Sequence, residues 1–182
     1  RSLGPAFAGT TAGAPGNEIT ALVYGGRQGA NARVGLVYAG SGSTVYVRED
    51  FGTTMASVNV GGGQIRAIAV DPTDWRNAFA VTANRVFRLQ TTVNGAGLPV
   101  VAVTDITGNI MRNLGELWSA AVVPGPAGTF ALAVGGTGGV ARTLDAFAGL
   151  GAKTRWTELD GRLPNAIFRS LGITFNVYGH AA

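Results

Sequence analysis

Four apolar runs open at nearly equal intervals along this chain, and that rhythm restricts the fold more than any other feature. ITALVYGG (19–26), IRAIAVDP (65–72), LWSAAVVP (117–124) and AIFRSLGITF (166–175) carry Ile19, Ile65, Leu117 and Ile167, which lie 46, 52 and 50 residues apart. Behind each of the first three openers comes a second apolar run: VGLVYAG (34–40), NAFAVTA (77–83) and TFALAVG (129–135). After a short turn a third follows: TVYVRED (44–50), RVFRLQ (85–90) and GVARTL (139–144). A fourth closes the set: MASVNV (55–60), VVAVTDIT (100–107) and TRWTELD (154–160). Gly, Asn, Asp and Pro separate the runs, which is strand and turn chemistry. The third runs carry Arg48, Arg88 and Arg142, which the sequence alignment places in register.

Four antiparallel strands recurring every 45 to 50 residues or so describe a β-propeller blade. A single four-stranded sheet has two faces and covers neither alone, so such units stack. The expected fold is therefore all-β, a β-propeller of about three and a half four-stranded antiparallel blades, part of a larger propeller. Its blades span 18–62, 63–113 and 114–164, a fourth starts over 165–182, and 1–17 is a Gly- and Pro-rich linker or arm. Composition agrees with short strands and tight turns: 29 glycines, 13% charged residues and a mean hydropathy of +0.24. Interior glycines at that density oppose helices, each costing about 1 kcal/mol against alanine. Propellers close with four or more blades, so the chain is expected to be a fragment of a longer one or to be completed by another subunit. The N-terminus, without Met or a signal pattern, points the same way.

With VDP (70–72) and the following RNAFAVTANRVFR, the second unit resembles the Asp-box or BNR propeller repeats of sialidase- and sortilin-like proteins. DITGNI (105–110) and RWTELDGRLPNA (155–166) resemble the segments that lead from one blade of that family into the next. The Asp box itself is sparse: REDFGTTM keeps Asp50 and Gly52 but has Met55 for Trp, RLQTTVNG has no Asp, and the third unit offers Thr143, Asp145 and Trp156. The resemblance, over about residues 18–178, implies a bacterial extracellular or cell-surface protein and a propeller that binds or builds.

Chemistry is harder to find. An arginine cluster of Arg48, Arg88 and Arg142 would suit a sialidase-type glycoside hydrolase, the alternative function, because guanidinium groups grip carboxylates in pairs. Yet glycoside cleavage needs two placed acid/base groups, and none stands out, so no catalytic residue is assigned. The arginines are read instead as ligand or inter-blade contacts, together with Trp75, Trp118 and Trp156, for which packing between blades is preferred over a sugar-stacking platform. GGTGGVA (135–141) matches a dinucleotide loop in outline, with Glu158 as the ribose acid, but aligns with the other hairpins. Asp71 and Asp74 in DPTD fit a turn cap better than a calcium loop. His180 is the only histidine and there is no cysteine, which leaves no His- or thiolate-based centre. No cofactor or metal is expected.

Thirteen of the 14 basic residues are arginines, scattered singly, and Lys153 is the only lysine. Without a basic stripe a nucleic-acid partner is not expected, and no apolar run is long enough to span a bilayer. Expected partners are the remainder of a longer chain, other subunits of an assembly, or a glycan, met through loops such as 25–33 and 94–99.

Overall fold

The computed structural model describes residues 18–159, apart from 50, 51, 53, 54, 96 and 126–128. The arm expected over 1–17, the fourth opener at 166–175, Asp50 and His180 lie outside the described residues.

The fold is all-β and consists of three four-stranded antiparallel sheets. The first holds β1 (Ile19–Gln28), β2 (Asn31–Ser41), β3 (Thr44–Arg48) and β4 (Ala56–Asn59). The second holds β5 (Ala67–Val70), β6 (Asn77–Val81), β7 (Val86–Val93) and β8 (Pro99–Asp105). A short helix, α1 (Met111–Leu114), leads into the third: β9 (Leu117–Pro124), β10 (Phe130–Gly136), β11 (Gly139–Thr143) and β12 (Thr157–Glu158). Strands follow chain order within every sheet, so each is a simple meander. The described residues form no closed ring.

In each sheet the second and third strands meet across a two-residue turn. Ser41 pairs with Thr44, Gly136 pairs with Gly139, and the Thr82 N–H donates to the Arg85 carbonyl (3.0 Å) just beyond the Val81 and Val86 pair. Turns this short suit hairpins when a glycine supplies positive φ, as Gly42 does at 53°.

Alternation along the strands then decides which residues enter which interface, because successive side chains point to opposite faces. From the second sheet, Ile68, Ala78, Ala80, Phe87 and Leu89 pack against Leu36, Tyr38, Val45 and Val47 of the first. Their neighbours Ala69, Phe79, Val81 and Val86 turn the other way, onto Val122, Leu132, Val134 and Ala141 of the third. The second sheet is thus covered on both faces. Phe79 meets Phe147 edge to face at 5.2 Å, the arrangement aromatic quadrupoles favour.

The first strands draw the sheets together, β5 lying against both β1 and β9. Backbone hydrogen bonds seam one sheet to the next. Ile65 N–H donates to the Gly42 carbonyl (2.7 Å), and Leu117 N–H donates to the Ala83 carbonyl (2.8 Å), the first residue of the turn in each case. Side chains add a second link: Thr20 Oγ1 donates to the Ile65 carbonyl and Arg66 Nη1 to the Leu117 carbonyl (3.0 Å).

Gly40 makes the first seam close enough. A Cβ there would lie 2.6 Å from Ile65 Cγ2 and 2.8 Å from Ile65 Cβ, and Ile65 is fully buried with nowhere to retreat. Gly40→Ala is expected to destabilise the protein by about 1–3 kcal/mol, the usual range for overpacking, measured by urea unfolding. A midpoint equal to that of the parent would show that the seam is looser than its geometry.

Candidate functional site

The three arginines singled out in the sequence do not share a site. Arg88 pairs with Phe79 and Arg142 with Ala133, at the same distance from their turns. Arg48 pairs with Val37 and stands one residue farther from its turn, so it projects from the opposite face, and Val47 takes the place equivalent to Arg88. The alignment in register therefore holds for two of the three. A one-residue shift moves a strand side chain to the other face.

Their surroundings differ accordingly. Arg88 lies between the second and third sheets, where it donates to the Phe147 carbonyl (3.0 Å) and Asn77 Oδ1 (3.3 Å), with its guanidinium 5.5 Å from the Phe147 ring centre. Arg48 lies on the outer face of the first sheet with Nη2 3.4 Å from the Gly35 carbonyl. Arg142 is exposed on the outer face of the third. No two of them converge on one ligand.

The tryptophans are also dispersed. Trp156 is buried in the core between the second and third sheets, and its Nε1 donates to the Ile106 carbonyl (3.0 Å). Asn109 fixes its backbone, accepting from Trp156 N–H (2.8 Å) and donating to the Trp156 carbonyl (3.1 Å). Trp118 is half-buried beneath Arg66, whose guanidinium sits 3.8 Å from the ring centre. Trp75 is buried between the first and second sheets. A Cβ at Gly26 would approach Leu36 to 2.6 Å and Trp75 to 3.0 Å, so the bare backbone of β1 makes room for the indole.

Trp75 also lines the feature most like a ligand site, a cleft of about 420 Å³ at the end of the sheets remote from the Gly42 and Ala83 turns. Gln28 and Arg33 enter from the tips of β1 and β2, Glu49 from beyond β3, Arg76 from the loop before β6, and Thr91, Thr92 and Val93 from the end of β7. The sequence-named loop 25–33 contributes to it directly, and 94–99 begins where its wall ends. The volume falls in the range of small-molecule sites, about 300–1,000 Å³.

The DPTD loop builds one side. Asp71 Oδ1 accepts from Thr73 N–H (2.8 Å), the Thr73 hydroxyl (2.8 Å) and Asp74 N–H (3.2 Å), which is a turn cap. Asp74 grips Arg76 by two hydrogen bonds, from Nε (2.8 Å) and Nη2 (2.7 Å), and these hold its carboxyl below the usual aspartate range. With both carboxylates so occupied, the loop is a structural cap, and no cluster of three metal-ligating side chains occurs among the described residues. The loop locks to the first sheet through Gly29 N–H to the Thr73 carbonyl and Trp75 N–H to the Arg27 carbonyl, both 2.8 Å.

Two residues that line the cleft carry a fully buried donor with no hydrogen-bond partner among the described residues, Trp75 Nε1 and Arg33 Nε. Leaving a buried donor unsatisfied costs about 1–3 kcal/mol, so such groups call for an explanation. Sequence reading picked Trp75 but not Gln28, Arg33, Glu49 or Arg76 individually. They come from four separate segments, and no spacing rule joins them.

A second, shallower groove of about 540 Å³ runs beside Gly108, Asn109, Arg112, Lys153, Arg155 and Trp156. GGTGGVA lies in the β10 and β11 hairpin, its Thr137 and Gly138 forming the turn, so it opens no helix and cradles no dinucleotide. Among the described residues no helix is long and apolar enough to cross a membrane. Comparison with known proteins returns no matching family model, curated protein or solved structure.

Tyr38 connects the cleft to the core. Its hydroxyl bonds to the Trp75 carbonyl and to Thr91 Oγ1, both at 2.9 Å, and burial pushes its ionisation well above the ordinary tyrosine value. The folded state keeps that proton while the unfolded chain loses it near the ordinary tyrosine value of 10.0. Stability is accordingly intact below about pH 10 and declines as pH rises beyond it. Tyr38→Phe is expected to cost about 1–3 kcal/mol at neutral pH by stranding the Trp75 carbonyl and Thr91, and to flatten the alkaline decline. Unfolding midpoints measured from pH 7 to 11 check both; an equal slope in the two proteins would mean Tyr38 is not the responsible group.

Proposed function

We propose that this chain is a non-catalytic binding or structural module of the β-propeller type, one part of a larger bacterial extracellular or surface assembly. The observation that supports it most is the apolar make-up of the outward faces of the two outer sheets. On the first sheet, the face turned away from the second carries Leu22, Tyr24, Val37, Ala39 and Tyr46; Val37 and Ala39 are buried, while Leu22 and Tyr24 on the first strand are 53% and 63% exposed. On the third, the outward face carries Ala121, Val123, Ala131, Ala133 and Val140, of which Ala133 and Val140 are buried and Val123 is exposed. The corresponding faces of the second sheet are the ones that its neighbours cover. A stack with apolar faces at both ends is suited to continuation by further four-stranded units, which a propeller supplies and an isolated three-sheet stack does not. The close approach of β1, β5 and β9 fits strands gathered near a common axis. The likeness to Asp-box repeats favours the same reading and is the ground for the extracellular setting.

Placement of Arg48, Arg88 and Arg142 on three different interfaces weighs against the glycoside hydrolase alternative, which needs its charged groups around one substrate.

The test is to place charge on the open face. In the natural protein, Leu22→Glu combined with Tyr24→Glu is expected to lower the melting temperature by several degrees, because burying two such side chains contributes about 3 kcal/mol or more. Substitutions on a solvated surface usually stay within about 0.5 kcal/mol. A melting temperature unchanged from the parent would place that face in water and overturn the proposal.

A further inference from the structure

We propose that Asn94, at the tip of the β7–β8 hairpin, is a site of self-modification, its side-chain amide being lost to attack by the Gly95 backbone nitrogen. Asn94 is the only asparagine in the sequence that a glycine follows. Deamidation of this kind requires the next residue's nitrogen to reach Cγ and close an imide ring, so access to that nitrogen governs the rate. Access is open here. A Cβ built on Gly95 would meet no atom within 4 Å, and among the described residues the Gly95 N–H donates to no acceptor. Other asparagines lack this freedom. The nitrogens after Asn59, Asn109 and Asn113 donate to the carbonyls of Ser43 (3.0 Å), Thr107 (3.1 Å) and Ile110 (3.3 Å), and the one after Asn84 donates to Thr82 Oγ1 (3.2 Å). Asn31 and Asn77 are followed by Ala32 and Ala78, both inside sheet ladders.

The hairpin also activates the carbonyl under attack. Leu98 N–H donates to Asn94 Oδ1 at 2.9 Å. That oxygen gains negative charge as the nitrogen adds to Cγ, so a donor already fixed beside it lowers the barrier. Two backbone bonds hold the arrangement, Asn94 N–H to the Leu98 carbonyl and Gly97 N–H to the Asn94 carbonyl, both 2.9 Å.

The step balances without oxidant or cofactor. The Gly95 nitrogen bonds to Cγ and gives up its proton; the bond from Cγ to Nδ2 breaks, and the side-chain nitrogen leaves as ammonia with that proton. Water then opens the imide. Addition at Cγ leaves aspartate in an ordinary main chain, whereas addition at the main-chain carbonyl of residue 94 leaves isoaspartate, with the chain routed through Cγ. The products differ in effect. Aspartate keeps an acceptor for the Leu98 N–H and puts a negative charge next to Val93, which lines the cleft. Isoaspartate lengthens the hairpin tip by a methylene and so disturbs the pairing of the Asn94 N–H with the Leu98 carbonyl.

The experiment incubates the full chain at neutral pH, folded and in denaturing urea, and follows each asparagine by peptide mapping with fragmentation mass spectrometry. In the folded chain Asn94 is expected to convert about tenfold or more faster than any other asparagine. Gly95→Ala is expected to slow the conversion about tenfold or more, since a methyl group crowds the attacking nitrogen. It is also expected to leave the melting temperature in place, because that methyl enters open space. The comparison in urea keeps the rate test valid whatever the variant does to the fold. First conversion at another asparagine overturns the proposal, as does a Gly95→Ala chain that converts at the parental rate. Conversion of Asn94 in urea with none in the folded chain would mean that the hairpin shields the amide, and overturns it too.

Discussion

Everything in this fold depends on burying the second sheet from both sides. A strand delivers its side chains alternately to two faces, and in β6 both sets are apolar: Ala78 and Ala80 go one way, Phe79 and Val81 the other. Neither set is satisfied by a two-layer arrangement. A sheet with this sequence therefore requires a neighbour on each side, and each neighbour in turn presents a second apolar face. That requirement, passed along the chain, is what converts a meander into a stack. It also explains why charged residues are so few, since sheets covered on both sides have little surface on which to carry them.

Stacking by apolar contact alone would let the sheets slide. The seams prevent this with directional bonds made at the same turn position each time. Ile65 and Leu117 donate to the first turn carbonyls of the preceding sheet, while Thr20 and Arg66, each one residue beyond an opening apolar residue, reach forward to the next opener's carbonyl. Arg66 does more than Thr20 does, since it also covers Trp118 and meets Glu116 at 3.1 Å. That exposed ion pair contributes little, about 0–1 kcal/mol at most. The stacking on Trp118 and the hydrogen bond to the Leu117 carbonyl are the more consequential contacts.

How much of this was legible follows from what each kind of signal encodes. Strand number, strand order and the turn after each second strand came from apolar runs and their glycine or asparagine punctuation, which report local conformation. Face assignment was less secure. The third runs all begin directly after their turns, at Thr44, Arg85 and Gly139, but Arg48 is the fifth residue of its run where Arg88 and Arg142 are the fourth, so placing Arg48 in register with Arg88 puts it on the wrong side, an error of one residue. The role of Tyr38 was not legible, because VYAG reads as an apolar run and nothing local shows that its hydroxyl meets Thr91, 53 residues away. The cleft was illegible for the same reason. Its polar lining comes from four segments that are brought together only by the packing of one sheet on another.

The two ends of the sheets have been put to different uses, and the physical reason lies in the connections. At the Gly42 and Ala83 end, short turns leave the carbonyls close enough for direct backbone bonding, and the seam shuts completely. At the other end, the β1–β2 hairpin extends past the sheet to meet the DPTD loop, bonding at Gly29 and Trp75. That contact spans the gap between sheets at its inner edge and holds it open farther out, between Glu49 and the end of β7. A rigid bracket beside an open wedge is a good place for polar groups, since packing fixes them while solvent or a ligand still reaches them. Gln28, Arg33, Glu49 and Arg76 line this wedge. Direct contact between the sheets is concentrated at the seamed end, and the polar lining is concentrated where a bracket keeps the sheets apart.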